Sequence, residues 1–429
     1  MNRHLTAIVL ATSGLAGAGV SWADNWQTFT EALAASKPLV DVRIRYEDVD
    51  QTPLTVSAVA LTLRARLGVQ TGDAWGTHFL VEGNFLAPLI DNYRSDNAVV
   101  MNVKYPLVPD PRDHAFNRLQ VTNKSLPDTI ITLGRQRILL DDQRFVGNVG
   151  WRQDEQTFDA VRIVNTSVPK LTVDITFIDK VHRVYTADSP QGTYTGDIYL
   201  GNLSYQTPVG KLTGFAYLMD FDPLTREQFP TLTPLAATAF DPVTASTNTY
   251  GGRLSATHTA GAFGWGYIFS YAIQRERGDN PLLFTNDYLL CELSGSFHDL
   301  SLTAGNERMD GNGTVGFSTP LATIHAFDGW ADKFLTTPVN GLDDKYGTLS
   351  YKLKNVGLFQ SISGGATHRS FSAQHISANY GSEWDFQISA KWQRLTTSVL
   401  YADYSASGAT PIGIARDTQK FWVQSEFIW

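Results

Sequence analysis

Cysteine is nearly absent from this chain: Cys291 is the single one, so no internal disulfide can staple the fold. Long apolar runs are equally scarce. Beyond the N-terminus no stretch approaches the roughly 18 residues of a spanning helix. The hydrophobic residues, 43% of the total, must therefore sit in short interrupted segments. Catalytic signatures are missing too. Gly-x-Ser-x-Gly and His-Glu-x-x-His do not occur, which removes two common hydrolase patterns. The histidines stand singly, with His114, His182, His298, His325 and His368 near strand ends or in loops, and no cluster has metal-ligand spacing. Gly311-Asn312-Gly313-Thr314-Val315-Gly316 matches a dinucleotide pattern but lies between antiparallel strand candidates, which makes it loop punctuation. No enzyme activity, cofactor, metal or nucleic-acid partner is expected.

What is present begins with an export signal. Arg3 and His4 precede an uncharged stretch from Leu5 to Val20, and Ser21-Trp22-Ala23 supplies the small-x-small cleavage pattern. Residues 1–23 are expected to be a signal peptide, and 24–429 a single domain. At the other end, Phe421, Val423, Phe427 and Trp429 share one parity, while Lys420, Gln424 and Glu426 take the other. A chain ending on an aromatic inside an alternating strand fits a last strand with one lipid face and one aqueous face.

The same period recurs throughout. Val40, Val42, Ile44 and Tyr46 alternate with Asp41, Arg43, Arg45 and Glu47. Phe263, Trp265, Tyr267, Phe269 and Tyr271 alternate with Gly264, Gly266, Ile268, Ser270 and Ala272. The pattern predicts strands at 39–47, 57–70, 76–86, 114–123, 129–137, 156–166, 170–180, 193–206 and 210–220. It predicts nine more at 247–258, 263–275, 286–297, 300–308, 343–353, 357–367, 382–392, 395–404 and 418–429. Connections after even-numbered strands are short and those after odd-numbered ones long. That is the arrangement of an antiparallel transmembrane β-barrel, all-β, with 18 strands, or 16 on the alternative count.

Charge decides which face is which. A Lys or Arg on the lipid face near the midplane costs about 2–4 kcal/mol, so Arg43, Arg45, Arg64 and Arg66 must face the lumen. Asp41, Glu47 and Glu82 go with them as lumen acids. Arg135 and Arg137 share parity with Ile131 and Leu133, and a lumen position for them requires a bulge or twist. Acids in the external connections, Asp110, Asp141, Asp142, Asp154 and Glu155 among them, are expected to form a solvated surface.

Several segments resemble the alginate-export family of outer-membrane porins. They are Val42-Arg43-Ile44-Arg45-Tyr46-Glu47, Leu61-Thr62-Leu63-Arg64-Ala65-Arg66-Leu67-Gly68 and Leu133-Gly134-Arg135-Gln136-Arg137-Ile138. Gln143 to Gln153 and Thr319 to Phe334 complete the set. The resemblance implies an 18-stranded barrel with an Arg-lined, anion-selective passage. The expected function is diffusion of an anionic solute, a uronate polysaccharide such as alginate or a smaller carboxylate. The alternatives are a lipase-like barrel enzyme and a barrel with a structural role. For the lumen arginines, solute guidance and structural pairing stand level. Expected partners are outer-membrane lipid and lipopolysaccharide, the anionic solute, and the barrel assembly machinery acting on the C-terminal strand.

One external segment stands apart. Leu321, Ala322, Ile324, Phe327, Trp330, Phe334 and Leu335 are too apolar for a solvated loop. Residues 319–335 are expected either to fold into the mouth as a constriction or to pack on the rim.

Overall fold

The two-residue alternation folds as eighteen antiparallel strands that close on themselves, β1 pairing with both β2 and β18. The structure, a computed structural model, describes residues 22–96, 103–224, 241–408 and 416–429. Residues 1–21 of the expected signal peptide lie outside the described residues. The first strands are β1 Lys37–Gln51, β2 Ala58–Gln70, β3 Thr77–Asn92, β4 Asp113–Asn123, β5 Thr129–Gln136 and β6 Thr157–Asn165. Next come β7 Leu171–His182, β8 Thr193–Thr207, β9 Gly210–Phe221, β10 Thr247–Ala260, β11 Phe263–Glu276 and β12 Thr285–Phe297. β13 Leu300–Met309, β14 Leu342–Val356, β15 Phe359–Ser372, β16 Asn379–Trp392, β17 Leu395–Ala406 and β18 Thr418–Ile428 complete the wall.

The outer face is apolar. On β11, Phe263, Trp265, Phe269, Tyr271 and Ile273 are exposed, while Ser270, Ala272 and Gln274 turn inward and are buried. On β16, Trp384 and Trp392 bracket the outward Phe386 and Ile388. No described helix is long and apolar enough to cross a membrane; this wall crosses it with strands. Closure leaves no free strand edge at the seam. Arg43 sits opposite Glu426, and the Trp429 N–H donates to the Val40 carbonyl at 2.8 Å.

Short turns join the strands at one end. The β12–β13 and β16–β17 hairpins reverse on His298-Asp299 and Gln393-Arg394, whose first residues have φ of +52° and +51°. Positive φ there matches the right-handed strand twist. The same end carries a helix the alternation did not reveal, α1 Trp22–Ala34. It rests on the β2–β3 turn, where the Gly72 N–H donates to the Ala32 carbonyl at 2.9 Å. A Cβ at Gly72 would stand 2.8 Å from the Ala35 methyl carbon, so glycine lets the helix close on the turn.

Two of the long connections at the opposite end fold inward. Residues 137–156 (loop three) and 310–341 (loop seven) carry Ile138, Leu140, Val146, Leu321, Ala331 and Phe334 into one buried cluster. Inward-facing Tyr217, Tyr288, Phe371, Tyr404 and Trp422 from the wall complete it. The apolar core of this molecule lies inside the barrel, where the loops meet the strands.

Candidate functional site: the constricted lumen

All four arginines of β1 and β2 point into the lumen and are buried, none more than 8% exposed. A buried guanidinium has five N–H donors to satisfy, and loop three supplies carbonyls for them. Arg43 Nη1 donates to the Trp151 carbonyl at 3.0 Å, Arg45 Nη2 to the same carbonyl at 2.6 Å, and Arg66 Nη2 to that of Gln153 at 3.1 Å. Acids neutralise the charge. Glu426 lies 2.7 Å from Arg43 and 2.9 Å from Arg64, which also pairs closely with Asp41. Arg66 meets Glu155 at 3.3 Å. Arg45 lies 4.1 Å over the Trp151 ring and 3.8 Å from Asp110. Arg43, Arg45 and Arg66 hold the returning arm of loop three against the wall, while Arg64 bonds the wall acids Asp41 and Glu426 instead.

The acids expected in the lumen follow suit. Glu47 accepts from Arg152 at 3.2 Å, and Glu82 from Arg118 at 2.6 Å. Arg137 pairs with Glu155 at 2.5 Å and reaches Glu82 at 3.5 Å. Arg135 departs from its expected lumen position. It lies in register with Asp159 as Leu133 does with Val161, without a shift between β5 and β6, and so shares the outward row of Leu133. It pairs with Asp159 at 2.8 Å, and His182 Nε2 lies 2.9 Å from the same carboxylate.

The acids expected on a solvated surface mostly are not there. Asp141 bonds Lys211 at 2.8 Å and Asp142 bonds Arg253 at 2.7 Å, tying the outgoing arm of loop three to β9 and β10. Asp110, Asp154 and Glu155 are buried. Burial, reinforced by the nearby Asp113, Glu155 and Asp110 carboxylates, raises the Asp154 carboxyl well above its ordinary range. At Glu155 burial pulls the same way, but the Arg66 and Arg137 guanidiniums prevail and hold it down at about 2.

Loops three and seven also bind each other. Val146 and Leu321 form a parallel bridge, with the Gly147 N–H donating to the Leu321 carbonyl at 2.9 Å. The Thr323 N–H donates to the Gln143 carbonyl at 3.0 Å. Arg144 is shared between Glu307 of β13 and Asp328 of loop seven, 3.0 Å away. Asp332 collects Arg152 at 2.8 Å, Lys420 at 2.6 Å and His325 Nδ1 at 2.7 Å. Burial would raise the Asp332 carboxyl, yet these groups hold it well below the usual range. Burial lowers the His325 imidazole, which stacks 4.3 Å from Trp151 at an interplanar angle of 10°. Phe334 packs on Phe371 and Tyr380. Residues 319–335 thus fold inside the mouth, the constriction of the two arrangements their apolarity allowed.

Above this junction lies a cavity of about 460 Å³ with Arg144, Arg183, Tyr194, Phe317 and Ile324 in its lining. Arg183 is held there by Tyr194, 4.3 Å from its ring, and by the Gln191 carbonyl at 3.0 Å. On the turn side of the junction, the wall from β12 to β17 presents hydroxyls inward. Thr348 and Thr367 bond at 2.9 Å, and Ser389 and Ser398 at 2.6 Å. Of these hydroxyls sequence reasoning placed only Ser389 on an inner face, and it passed over Arg183. Their signal was the alternation of Ser and Thr with exposed Leu302, Leu349 and Ile388.

The closed antiparallel barrel of eighteen strands matches solved outer-membrane porins. The barrel superposes on the outer membrane protein OpdK of Pseudomonas aeruginosa with a TM-score of 0.65 at 13% identity, covering 92% of this chain and 99% of that one. This is the fold of an outer-membrane porin. OccAB2 of Acinetobacter baumannii gives a TM-score of 0.66 at 15% identity over 93% of this chain and 99% of that one. OpdO of Pseudomonas aeruginosa gives 0.64 at 13% over 94% and 99%. No family profile and no curated protein matches the sequence. These structural neighbours are Opd and Occ porins, and they support the outer-membrane porin kind without supporting the alginate-export family in particular. A porin barrel with this apolar outer wall belongs in the bacterial outer membrane.

Proposed function

We propose that this chain is a diffusion channel for small carboxylates. The observation that carries this reading is the pair of inturned loops, bonded to the wall and to each other, which narrow the lumen beneath an arginine-bearing vestibule. A passage so braced favours a compact solute over a polysaccharide chain, so a single uronate or aromatic acid fits better than alginate. OpdK, which shares the fold, has been solved with vanillate. Arg183 at the vestibule is the guanidinium we assign to carboxylate attraction, since Arg suits carboxylates geometrically. The arginines of β1 and β2 act one step removed, by setting the position of loop three. Planar-bilayer recording tests the proposal. Reversal potentials should favour anions, and vanillate should interrupt the current at lower concentration than an oligouronate. A cation-selective pore, or one indifferent to both solutes, would overturn it.

A further inference from the structure

At the end of the barrel where the connections are short, β14 and β15 reverse on a tight turn with Asn355 at φ +55° and Gly357 at +58°. Parity fixes which way the residues beside this turn point. Buried Asp344 and the bonded hydroxyl of Thr348 put the even positions of β14 on the lumen face. Exposed Leu349, Tyr351 and Leu353 put the odd ones outside. Lys352 and Lys354 therefore face the lumen. On β16, buried Glu383 and Asp385 face inward while Ile388 and Trp392 are exposed outside, so Lys391 faces inward too. Between them β15 turns Ser361 and Ser363 the same way, in line with Thr367 and buried Arg369.

Register gathers these residues. Lys354 lies opposite Ser361, and Ser361 opposite Lys391. Lys352 lies opposite Ser363. Neighbouring strands stand about 4.8 Å apart, and residues two apart on one strand about 7 Å. Three ammoniums and two hydroxyls thus share one patch of the inner wall.

The three charges are unspent. Lys211 and Arg162, also near the turn end, are each matched by an acid, Asp141 at 2.8 Å and Asp174 at 2.5 Å. The Lys352 N–H donates to the Asp299 carbonyl at 2.9 Å, which ties only its backbone. Among the described residues none of the three ammoniums has an ion pair or hydrogen bond. Arg394 in the next turn leaves the patch to lie 5.4 Å over the Trp429 ring. Like charges this close repel within a Debye length of about 8–10 Å, and a concave wall focuses their field on the lumen.

We propose that Lys352, Lys354 and Lys391, with the hydroxyls of Ser361 and Ser363, form a second anion site at the turn-side mouth, for compact oxyanions of two or more charges such as a diphosphate. Lysine meets phosphate as a point charge, without the planar fork that suits a guanidinium to a single carboxylate. Three ammoniums set apart in this way reward an anion that carries several charges. The site depends on the barrel fold and not on the carboxylate reading, whose Arg183 stands in the vestibule beyond the constriction.

The probe is inorganic pyrophosphate, followed by broadening of its phosphorus NMR signal with the whole barrel in detergent. Heat-modifiable migration verifies that each variant is folded. Wild type and Arg183→Gln should bind alike. The triple variant Lys352→Gln, Lys354→Gln, Lys391→Gln should bind far more weakly, by about tenfold for each charge-assisted bond lost. In a Cys291→Ala background, Lys354→Cys should weaken binding. A thiol reagent that adds an aminoethyl group should restore it, and one that adds a sulfonatoethyl group should abolish it. Binding that survives the triple substitution, is lost with Arg183 instead, or ignores the sign of the group at position 354 overturns the site and leaves the channel reading untouched. A cation-selective pore in bilayer recording overturns the channel reading and leaves this site standing.

Discussion

Arg144 shows what a single side chain does in this lumen. It is 1% exposed and joins Glu307 on the wall to Asp328 on loop seven. Arg144→Met would strand two buried carboxylates, a loss of about 3–5 kcal/mol. Loop seven should become cleavable by protease while the barrel still migrates as a folded species on a heat-modifiability gel. Replacing Arg43, Arg45, Arg64 and Arg66 together with Gln should act mainly on loop three. Trp151 emission should shift to the red as its carbonyl and ring lose Arg45 and Arg43, and an unshifted spectrum would argue against anchoring. Acid has a defined sign at Glu155. Its carboxyl is held at about 2 against an ordinary 4.5, so the stability it lends is complete above pH 4.5 and is lost as pH falls toward 2. Conductance noise tracked over that window should grow. The alternation showed that the β1 and β2 arginines face inward; their partners were hidden, because Trp151, Gln153 and Glu155 reach them only once loop three has doubled back.

Every strand the alternation predicts is present, and the differences in length have local causes. β3 runs to Asn92 beyond its expected end at 86, because a register shift at Leu61/Thr62 lets β2 follow it past Pro88. β5 stops at Gln136 because Gly134 turns the chain. α1 was missed because it lies outside the alternating region and meets the β2–β3 turn at Gly72, where Ala32 and Ala35 close on the glycine. The apolar excess in 319–335 signalled burial without an address; the address came from Val146 and Gln143, far away in sequence. Removing residues 319–335 should raise single-channel conductance while barrel assembly survives, since external loops tolerate shortening better than strands do. An unchanged conductance would mean the passage lies elsewhere than beside this segment.

For the molecule as a whole, we propose that assembly depends on the last strand. Deleting Trp429, or replacing it with Asp, removes or charges the residue whose backbone closes on Val40 at both N–H and carbonyl. Outer-membrane levels of the heat-modifiable form should fall sharply, and normal levels would deny Trp429 a part in assembly. The seam carries a further consequence. Glu426 belongs to the final strand, yet it neutralises Arg43 and Arg64 in the first hairpin. Until residue 426 has been delivered, Arg43 waits inside the nascent wall without its carboxylate and Arg64 has Asp41 alone. A chain cut short anywhere before β18 keeps that imbalance for good. The ion pairs at the seam thus make closure of the first hairpin against the last strand a matter of charge as well as of backbone pairing.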